Sequence, residues 1–274
     1  MCKPVIKWVG GKRQLLSKIK QYMPNRYNRY FEPFIGGGAL FFELKHNNSF
    51  INDYNPELTN LYNVIKNNPK ALIKDLKTHI NTYEYYYSTR SLDRDFITYD
   101  DLSSIKKASR FIYLNKTGFN GLYRVNKKGQ NNVPYGYYKS PKYFDEDNII
   151  SCSKQLQTTT ITTGDFYNIK NHIKAGDFIY FDPPYVPLNM TSNFTAYTQK
   201  GFDDDMQFRL KELCDYIHRI GAYFMLSNSY TDFILDLYDD YTIKTVEANR
   251  VLNCKVDKRG KINEVLIYNY NKVN

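Results

Sequence analysis

The tetrapeptide Asp182-Pro183-Pro184-Tyr185 closes the apolar run Phe178-Ile179-Tyr180-Phe181, and its two prolines restrict the backbone to a stiff turn. Such a turn can hold a carboxylate, a carbonyl and a ring around one planar group. The exocyclic amine of a nucleobase is a poor nucleophile, because its lone pair is delocalised into the ring. Two acceptors, the Asp182 carboxylate and the Pro183 carbonyl, can take its two hydrogens and favour a pyramidal nitrogen with a localised lone pair. That nitrogen can attack a sulfonium methyl in line, with Asp182 stabilising the positive charge that grows on it and Tyr185 stacked on the base. A strand that simply ends in a proline turn is the plainer account of these four residues taken alone.

A second cluster, Phe34-Ile35-Gly36-Gly37-Gly38-Ala39, follows an earlier strand candidate, and Asp53 follows the next one. Glycines between a strand and a helix let the backbone approach a ligand closely, and an acid after the following strand can hold ribose hydroxyls. The combination fits an adenosine-containing cofactor. Phe41 stands where the dinucleotide fingerprint needs its third glycine, which argues against NAD. Trp8-Val9-Gly10-Gly11-Lys12 has the look of a phosphate-loop fragment. Arg13 follows, however, where Ser or Thr is needed for magnesium, and Ile6 stands where the first glycine belongs, which argues against an ATPase.

These clusters need elements that deliver them to one place. The pattern alternates strand and helix, the signature of an α/β sheet covered on both faces. Strands are expected over 29–34, 49–52, 160–163, 177–181, 222–226, 241–246 and 265–270. Helices are expected over 14–22, 39–44 and 204–220, the last opening on aspartates that suit the positive helix end and stopping at Gly221. Gly164-Asp165-Phe166, Asp182 to Tyr185 and Ser227-Asn228-Ser229 all follow or end strands, which is where open α/β sheets bind ligands. One crevice lined by strand ends is therefore expected. Between residues 61 and 114 only helical segments appear, including 69–80 and 105–114. A helical insert over 61–144 is expected, flanked by the two parts of a catalytic domain, 1–60 and 145–274.

The insert is where the charge lies. The 274 residues carry 38 Lys and Arg against 28 Asp and Glu, a formal net charge of +10, which suggests a polyanionic partner. From Ser103 to Phe144 there is no Asp or Glu, while Lys106, Lys107, Arg110, Lys116, Arg124, Lys127, Lys128, Lys139 and Lys142 are all present. Tyr113, Phe119, Tyr123, Tyr135, Tyr137 and Tyr138 are interleaved with Asn120, Asn126, Asn131 and Asn132. This mixture of phosphate-binding charge, stacking rings and amides suits nucleic acid better than an ordinary solvated face. Residues 250–261 read as a solvated basic turn. Cys2, Cys152, Cys214 and Cys254, like His46, His79, His172 and His218, are scattered, so neither a disulfide nor a zinc framework is legible and no metal is expected. Apolar runs are strand-sized, far short of the ~20 residues that span a bilayer, and the first ten residues lack the apolar core of a signal peptide. A cytoplasmic protein without a membrane partner is expected.

Trp8 to Lys12, Phe31 to Gly38, Asn52-Asp53, Gly164-Asp165-Phe166 and Asp182 to Tyr185, in this order with the insert between glycine loop and DPPY, closely resemble Dam-type DNA adenine-N6 methyltransferases. The resemblance covers nearly the whole chain. It implies a Rossmann-like methyltransferase sheet of about seven strands, with a helical DNA-recognition domain and a β-hairpin inserted. It implies S-adenosylmethionine as methyl donor, S-adenosylhomocysteine as product, and an adenine flipped out of double-stranded DNA. Trp8, Lys12, Asp53 and Asp182 would contact the cofactor, with Phe34, Gly36, Gly38, Asp165 and Phe166 lining the same pocket; Asp182, Pro183, Pro184 and Tyr185 would be the catalytic set. Asn120-Gly121-Leu122-Tyr123-Arg124, followed by Asn132-Val133-Pro134-Tyr135-Gly136 and Tyr138, resembles the DNA-reading hairpin of GATC-specific members. Asn120, Leu122, Arg124, Pro134 and Tyr138 would then contact DNA, Arg124 bonding a guanine, and Lys7 matches a further base-contacting lysine. Phe119 departs from members with Tyr at that position, so a hydroxyl contact is lost there. A prokaryotic or phage-infected cell is the implied setting, and a cognate restriction endonuclease could share the target site without a stable complex. Two other readings stay open: an adenine-N6 methyltransferase acting on RNA, since the DPPY chemistry is indifferent to the sugar, and a non-catalytic DNA-binding protein that keeps the cofactor fold as scaffold.

Overall fold

A computed structural model describes residues 2–185, 202–249 and 261–271. Strands β1 (Tyr30–Glu32), β2 (Ser49–Asp53), β3 (Thr159–Thr163), β4 (Phe178–Phe181), β5 (Tyr223–Ser229), β6 (Thr242–Asn249) and β7 (Lys261–Tyr268) form one sheet in the order β3-β2-β1-β4-β5-β7-β6. β1 pairs parallel with β2 and with β4, and β4 with β5; β7 enters antiparallel between β5 and β6. Every expected strand is present, with ends displaced by a few residues. β5, β6 and β7 run three or four residues beyond expectation at one end, and for β6 and β7 register pairing continues out to Asn249 and Lys261. β4 is buried at all four positions, as its unbroken apolar sequence requires in a sheet covered on both faces.

The strand order reverses between β1 and β4. β1, β2, β4 and β5 finish at the same edge of the sheet, and a reversal point on that edge is where loops diverge and ligands bind. The glycine loop follows β1, Asp53 ends β2 and Asp182 follows β4.

Among the described residues the helices are α1 (Leu16–Tyr22), α2 (Ala39–Leu44), α3 (Pro56–Asn67), α4 (Pro69–Leu76), α5 (Tyr83–Ser91), α6 (Phe96–Asp100), α7 (Ser104–Thr117), α8 (Glu146–Leu156), α9 (Asp204–Arg219) and α10 (Asp232–Leu237). The chain divides into two compact units. One comprises residues 12–34, 48–51 and 165–274. In its core Phe31, Ile179, Phe181, Phe224 and Ile267 from the strands meet Leu210, Leu213 and Ile217 of α9. Asp203 caps α9 by accepting the Met206 N–H at 3.0 Å, a bond worth about 1 kcal/mol. Gly221, at φ 75°, turns the chain after it.

The other unit comprises residues 1–11, 35–47 and 52–164. Its centre is α7, capped by Ser103 and buried from Ala108 to Asn115. Tyr86, Tyr113, Leu114 and Tyr135 form an aromatic cluster there. The helix expected over 69–80 stops at Leu76. His79 is instead held by the Tyr85 hydroxyl and Ser109 Oγ, both at 2.9 Å, so tertiary bonds outweigh local helical propensity. Cys2, Cys152 and Cys214 are free thiols, and the first two are hydrogen-bonded, Sγ to Sγ, at 2.7 Å. The basic turn expected at 250–261 lies outside the described residues except for Lys261, and so does Cys254. Among the described residues no helix is long and apolar enough to cross a membrane, and no group of His, Cys, Asp and Glu could hold a metal ion.

Candidate active site and nucleic-acid surface

The turn after β4 carries its carboxylate into an ion pair. Lys12 Nζ lies 2.8 Å from Asp182 Oδ1, with the lysine buried. Burial pushes the Asp182 carboxyl up to about 6; Lys12 opposes this and nearby Glu264 adds to it. The same ammonium lies 4.4 Å from the centre of the Tyr185 ring, a cation–π contact. The Tyr185 hydroxyl donates to Glu264 Oε2 at 2.7 Å. Lys12, Asp182 and Tyr185, three residues singled out from sequence, therefore meet, and Glu264 joins them unforeseen. Its alternating strand gave one signal, an acid directly preceding the apolar run Val265-Leu266-Ile267.

Phe34 and Phe166 also meet in this unit, their ring centroids 5.2 Å apart, and Phe202 packs on both. Asp165 accepts the Tyr167 N–H at 2.8 Å and faces both terminal nitrogens of Arg209, at 3.1 and 3.3 Å. Its carboxylate is thus engaged in capping and ion pairing.

In the other unit the glycine loop packs against Trp8. Gly36 sits at φ 46°, and a Cβ there would meet Trp8 Cδ1 at 2.7 Å. The close approach these glycines permit is to the Trp8 indole, which stacks on Tyr123 at 5.6 Å. Gly38, at φ 69°, caps α2, and a Cβ there would crowd Phe42 and the Tyr62 hydroxyl. That hydroxyl donates to the Gly36 carbonyl at 2.7 Å. Asp53 accepts the N–H groups of Gly36 and Asn55, each at 3.0 Å, and burial raises its carboxyl to about 6 despite those bonds. Tyr54, beside it, is 63% exposed. Tyr62 was not foreseen as a site residue.

The expected hairpin is an antiparallel excursion held by isolated bridges, Gly118 to Tyr135 and Val125 to Asn131, rather than a continuous ladder. Side chains do much of the holding. Asn115 accepts the Lys7 N–H and donates to the Lys7 and Gly121 carbonyls, so Lys7 lies against this loop. Its ammonium is 5.5 Å from the Tyr138 ring centre, and the Tyr138 hydroxyl accepts the Asn120 N–H at 3.1 Å. Lys7, Asn120 and Tyr138 are thereby gathered. Pro134 is exposed while its carbonyl accepts the Phe119 N–H. Leu122 is half-buried and donates its N–H to the Phe119 carbonyl. Arg124 is exposed, and Asn132 grips one edge of it: Nε donates to Oδ1 at 2.6 Å and one terminal nitrogen donates to the backbone carbonyl at 3.1 Å.

Two parts of the basic, aromatic stretch need correction. Arg110 is 5% exposed and pairs with Asp93 at 2.8 Å, so it is an internal charge rather than a phosphate contact. Tyr113 and Tyr135 are buried in the aromatic cluster and cannot stack on bases. Phe119 and Tyr137, 49% and 71% exposed, remain available. The apparent density of DNA-facing groups fell because α7 is enclosed on every side from Ala108 to Asn115, so its polar and aromatic residues there are covered along with the apolar ones.

The D12 class N6 adenine-specific DNA methyltransferase family matches residues 8–252. The type II methyltransferase M1.LlaDCHI of Lactococcus lactis subsp. cremoris is 47% identical over 98% of this chain and 95% of its own length. The type II methyltransferase M.MjaIII of Methanocaldococcus jannaschii is 45% identical, over 98% of this chain and 99% of its own. The DNA adenine methylase of Haemophilus influenzae is 34% identical over 96% and 92%. With the Asp182 to Tyr185 turn at the carboxyl edge of a mixed seven-stranded sheet, this chain belongs to the D12 class of N6 adenine-specific DNA methyltransferases and is an enzyme of that class.

Proposed function

We propose that this enzyme transfers the methyl group of S-adenosylmethionine to N6 of adenine within GATC in double-stranded DNA, acting on a base flipped out of the duplex. The observation that carries the reading is the cluster of Lys12, Asp182 and Tyr185 after β4. The residues suit the cofactor chemically. Asp53 is a partly exposed carboxylate held in orientation by two backbone N–H groups, able to accept from ribose hydroxyls, and Tyr54 offers an exposed ring beside it. When bound, S-adenosylmethionine supplies an electrophilic methyl on sulfonium. Its binding residues are Trp8, Lys12, Phe34, Gly36, Gly38, Asp53, Asp165, Phe166 and Asp182. No metal takes part.

Asp182 and the Pro183 carbonyl accept the two amino hydrogens of the target adenine, Pro184 keeps the turn stiff, and the Tyr185 ring stacks on the base. Lys12 keeps Asp182 ionised against its burial. Asp182 is thus poised to stabilise the positive charge that develops on nitrogen. Lys7, Asn120, Leu122, Arg124, Pro134 and Tyr138 contact DNA, with 61–144 acting as the recognition insert and 1–60 with 145–274 as the catalytic domain. The type II names of two relatives favour a restriction-modification role in a prokaryotic or phage-infected cytoplasm, with an endonuclease that shares the site but forms no stable complex.

The test is methyl transfer from tritiated S-adenosylmethionine to an unmethylated GATC duplex, to its single-base variants and to structured RNA. Label on N6 of adenine in the GATC duplex alone is the expected result. Equal labelling of variants removes the GATC assignment. Labelling of RNA alone makes the enzyme an RNA methyltransferase, and no transfer with intact binding makes it a scaffold.

A further inference from the structure

Glu264 lies on β7, opposite Ser229 of β5 and Val246 of β6. It is 8% exposed, and Val265, Leu266 and Ile267 after it are fully buried. A carboxylate in such a strand is costly unless it is bonded. It also stands close enough to Asp182 to disfavour the ionised form of that carboxylate, so its charge works against the methyl-transfer chemistry. What offsets these costs is its one directional contact into the DPPY turn, the hydrogen bond from the Tyr185 hydroxyl. Lys12 touches that ring on its face, a contact that leaves the direction of the ring's long axis open. The bond at the hydroxyl tip removes this freedom.

We propose that Glu264 is a positioning residue for methyl transfer: through the Tyr185 hydroxyl it fixes the plane on which the target adenine stacks. This rests on the proposed function. A stacked base whose amine must meet a methyl group in line tolerates little rotation, and a misplacement of about 1 Å can cost about 100-fold in rate.

The experiment measures kcat, and KM for a GATC duplex, with saturating tritiated S-adenosylmethionine, for the full chain and for Glu264→Leu, Glu264→Gln, Tyr185→Phe and the Tyr185→Phe/Glu264→Leu double variant. Gln keeps an acceptor for the hydroxyl but removes the charge; Leu removes both. Glu264→Leu should lower kcat about 10- to 100-fold with a much smaller change in KM. Gln should recover most of that loss, to within about fivefold of the parent, the scale of one ordinary hydrogen bond. The double variant should be no slower than Tyr185→Phe alone, since both changes break one contact. An undiminished kcat in Glu264→Leu, a Gln variant as slow as Leu, or losses that multiply in the double variant overturn the proposal. Should Glu264→Leu fail to fold, Tyr185→Phe decides, because it keeps the ring and loses only the tip bond: a kcat equal to the parent's overturns it. A parent that methylates no adenine in DNA overturns the function as well as this inference, whereas an active parent with fully active variants overturns the inference alone.

Discussion

At the scale of single residues, the site depends on a carboxylate that burial would rather keep neutral. Asp182 is raised from 3.8 to about 6 by burial, against the pull of Lys12. In the proposed mechanism the ionised form is the acceptor; it is lost as pH falls through about 6, and kcat/KM should fall on the acid side of that value. Asp53 is raised to about 6 as well, also by burial, so cofactor affinity should weaken in the same window and the acid limb should be steeper than one proton. A pH series of kcat/KM, with calorimetric titration of S-adenosylmethionine at each pH, checks both; a limb that stays flat well below 6 contradicts the assignment. Asp182→Asn keeps an acceptor but not the charge, and should cost roughly 100-fold or more in methyl transfer while the thermal melt and DNA binding stay near those of the parent.

At the scale of elements, the loop after β1 and the excursion around Arg124 are built for different ends. Gly36 combines φ 46° with the Trp8 indole where a Cβ would stand. Gly36→Ala should therefore destabilise by about 1 to 3 kcal/mol, read as a lowered denaturation midpoint; an unchanged midpoint would mean that Trp8 moves aside freely. Around Arg124, Asn132 uses Nε and one terminal nitrogen, which leaves the other terminal nitrogen and part of the first to face a base. A guanidinium held along one edge is oriented rather than merely charged. Arg124→Ala should lose ~1 to 3 kcal/mol of discrimination at one base pair, and Asn132→Ala should lose part of the same discrimination at the same pair. Ratios of methylation rates on GATC and its single-base variants measure this, and an Asn132 effect spread evenly over all positions would refute the orienting role.

At the scale of the whole molecule, the +10 charge does two jobs that net charge cannot separate. Exposed lysines such as Lys127 and Lys128 are suited to phosphates, and each contact releases counterions with a slope near ~0.9 in log affinity against log salt. Lys127→Ala should lower that slope by about one unit and weaken all sequences alike. Arg110 belongs to the fold: it pairs with buried Asp93 and donates to the Thr89 and Arg90 carbonyls, so Arg110→Ala should cost about 1 to 3 kcal/mol of stability by leaving those carbonyls without their donor, while Asp93 keeps Arg94 and the Asn131 N–H. Salt titrations of DNA affinity beside denaturant melts separate the two, and a salt slope that drops in a fully stable Arg110→Ala variant would reverse the assignment.

The sequence by itself determined the strands, the helices α7 and α9 and the DPPY turn, because these rest on local periodicity and on proline and glycine, whose backbone limits travel with the residue. It also marked Lys12 and Asp53 through the order of motifs, while α8 was not foreseen. Three things were decided only by tertiary structure. The helix over 69–80 stops early because His79 finds partners in Tyr85 and Ser109; Arg110 and Tyr113 are covered because α7 is enclosed on every side there; and Glu264 reaches Tyr185 only because β7 inserts between β5 and β6. Each depends on contacts that close only when the elements pack together, and a one-dimensional pattern carries no record of them.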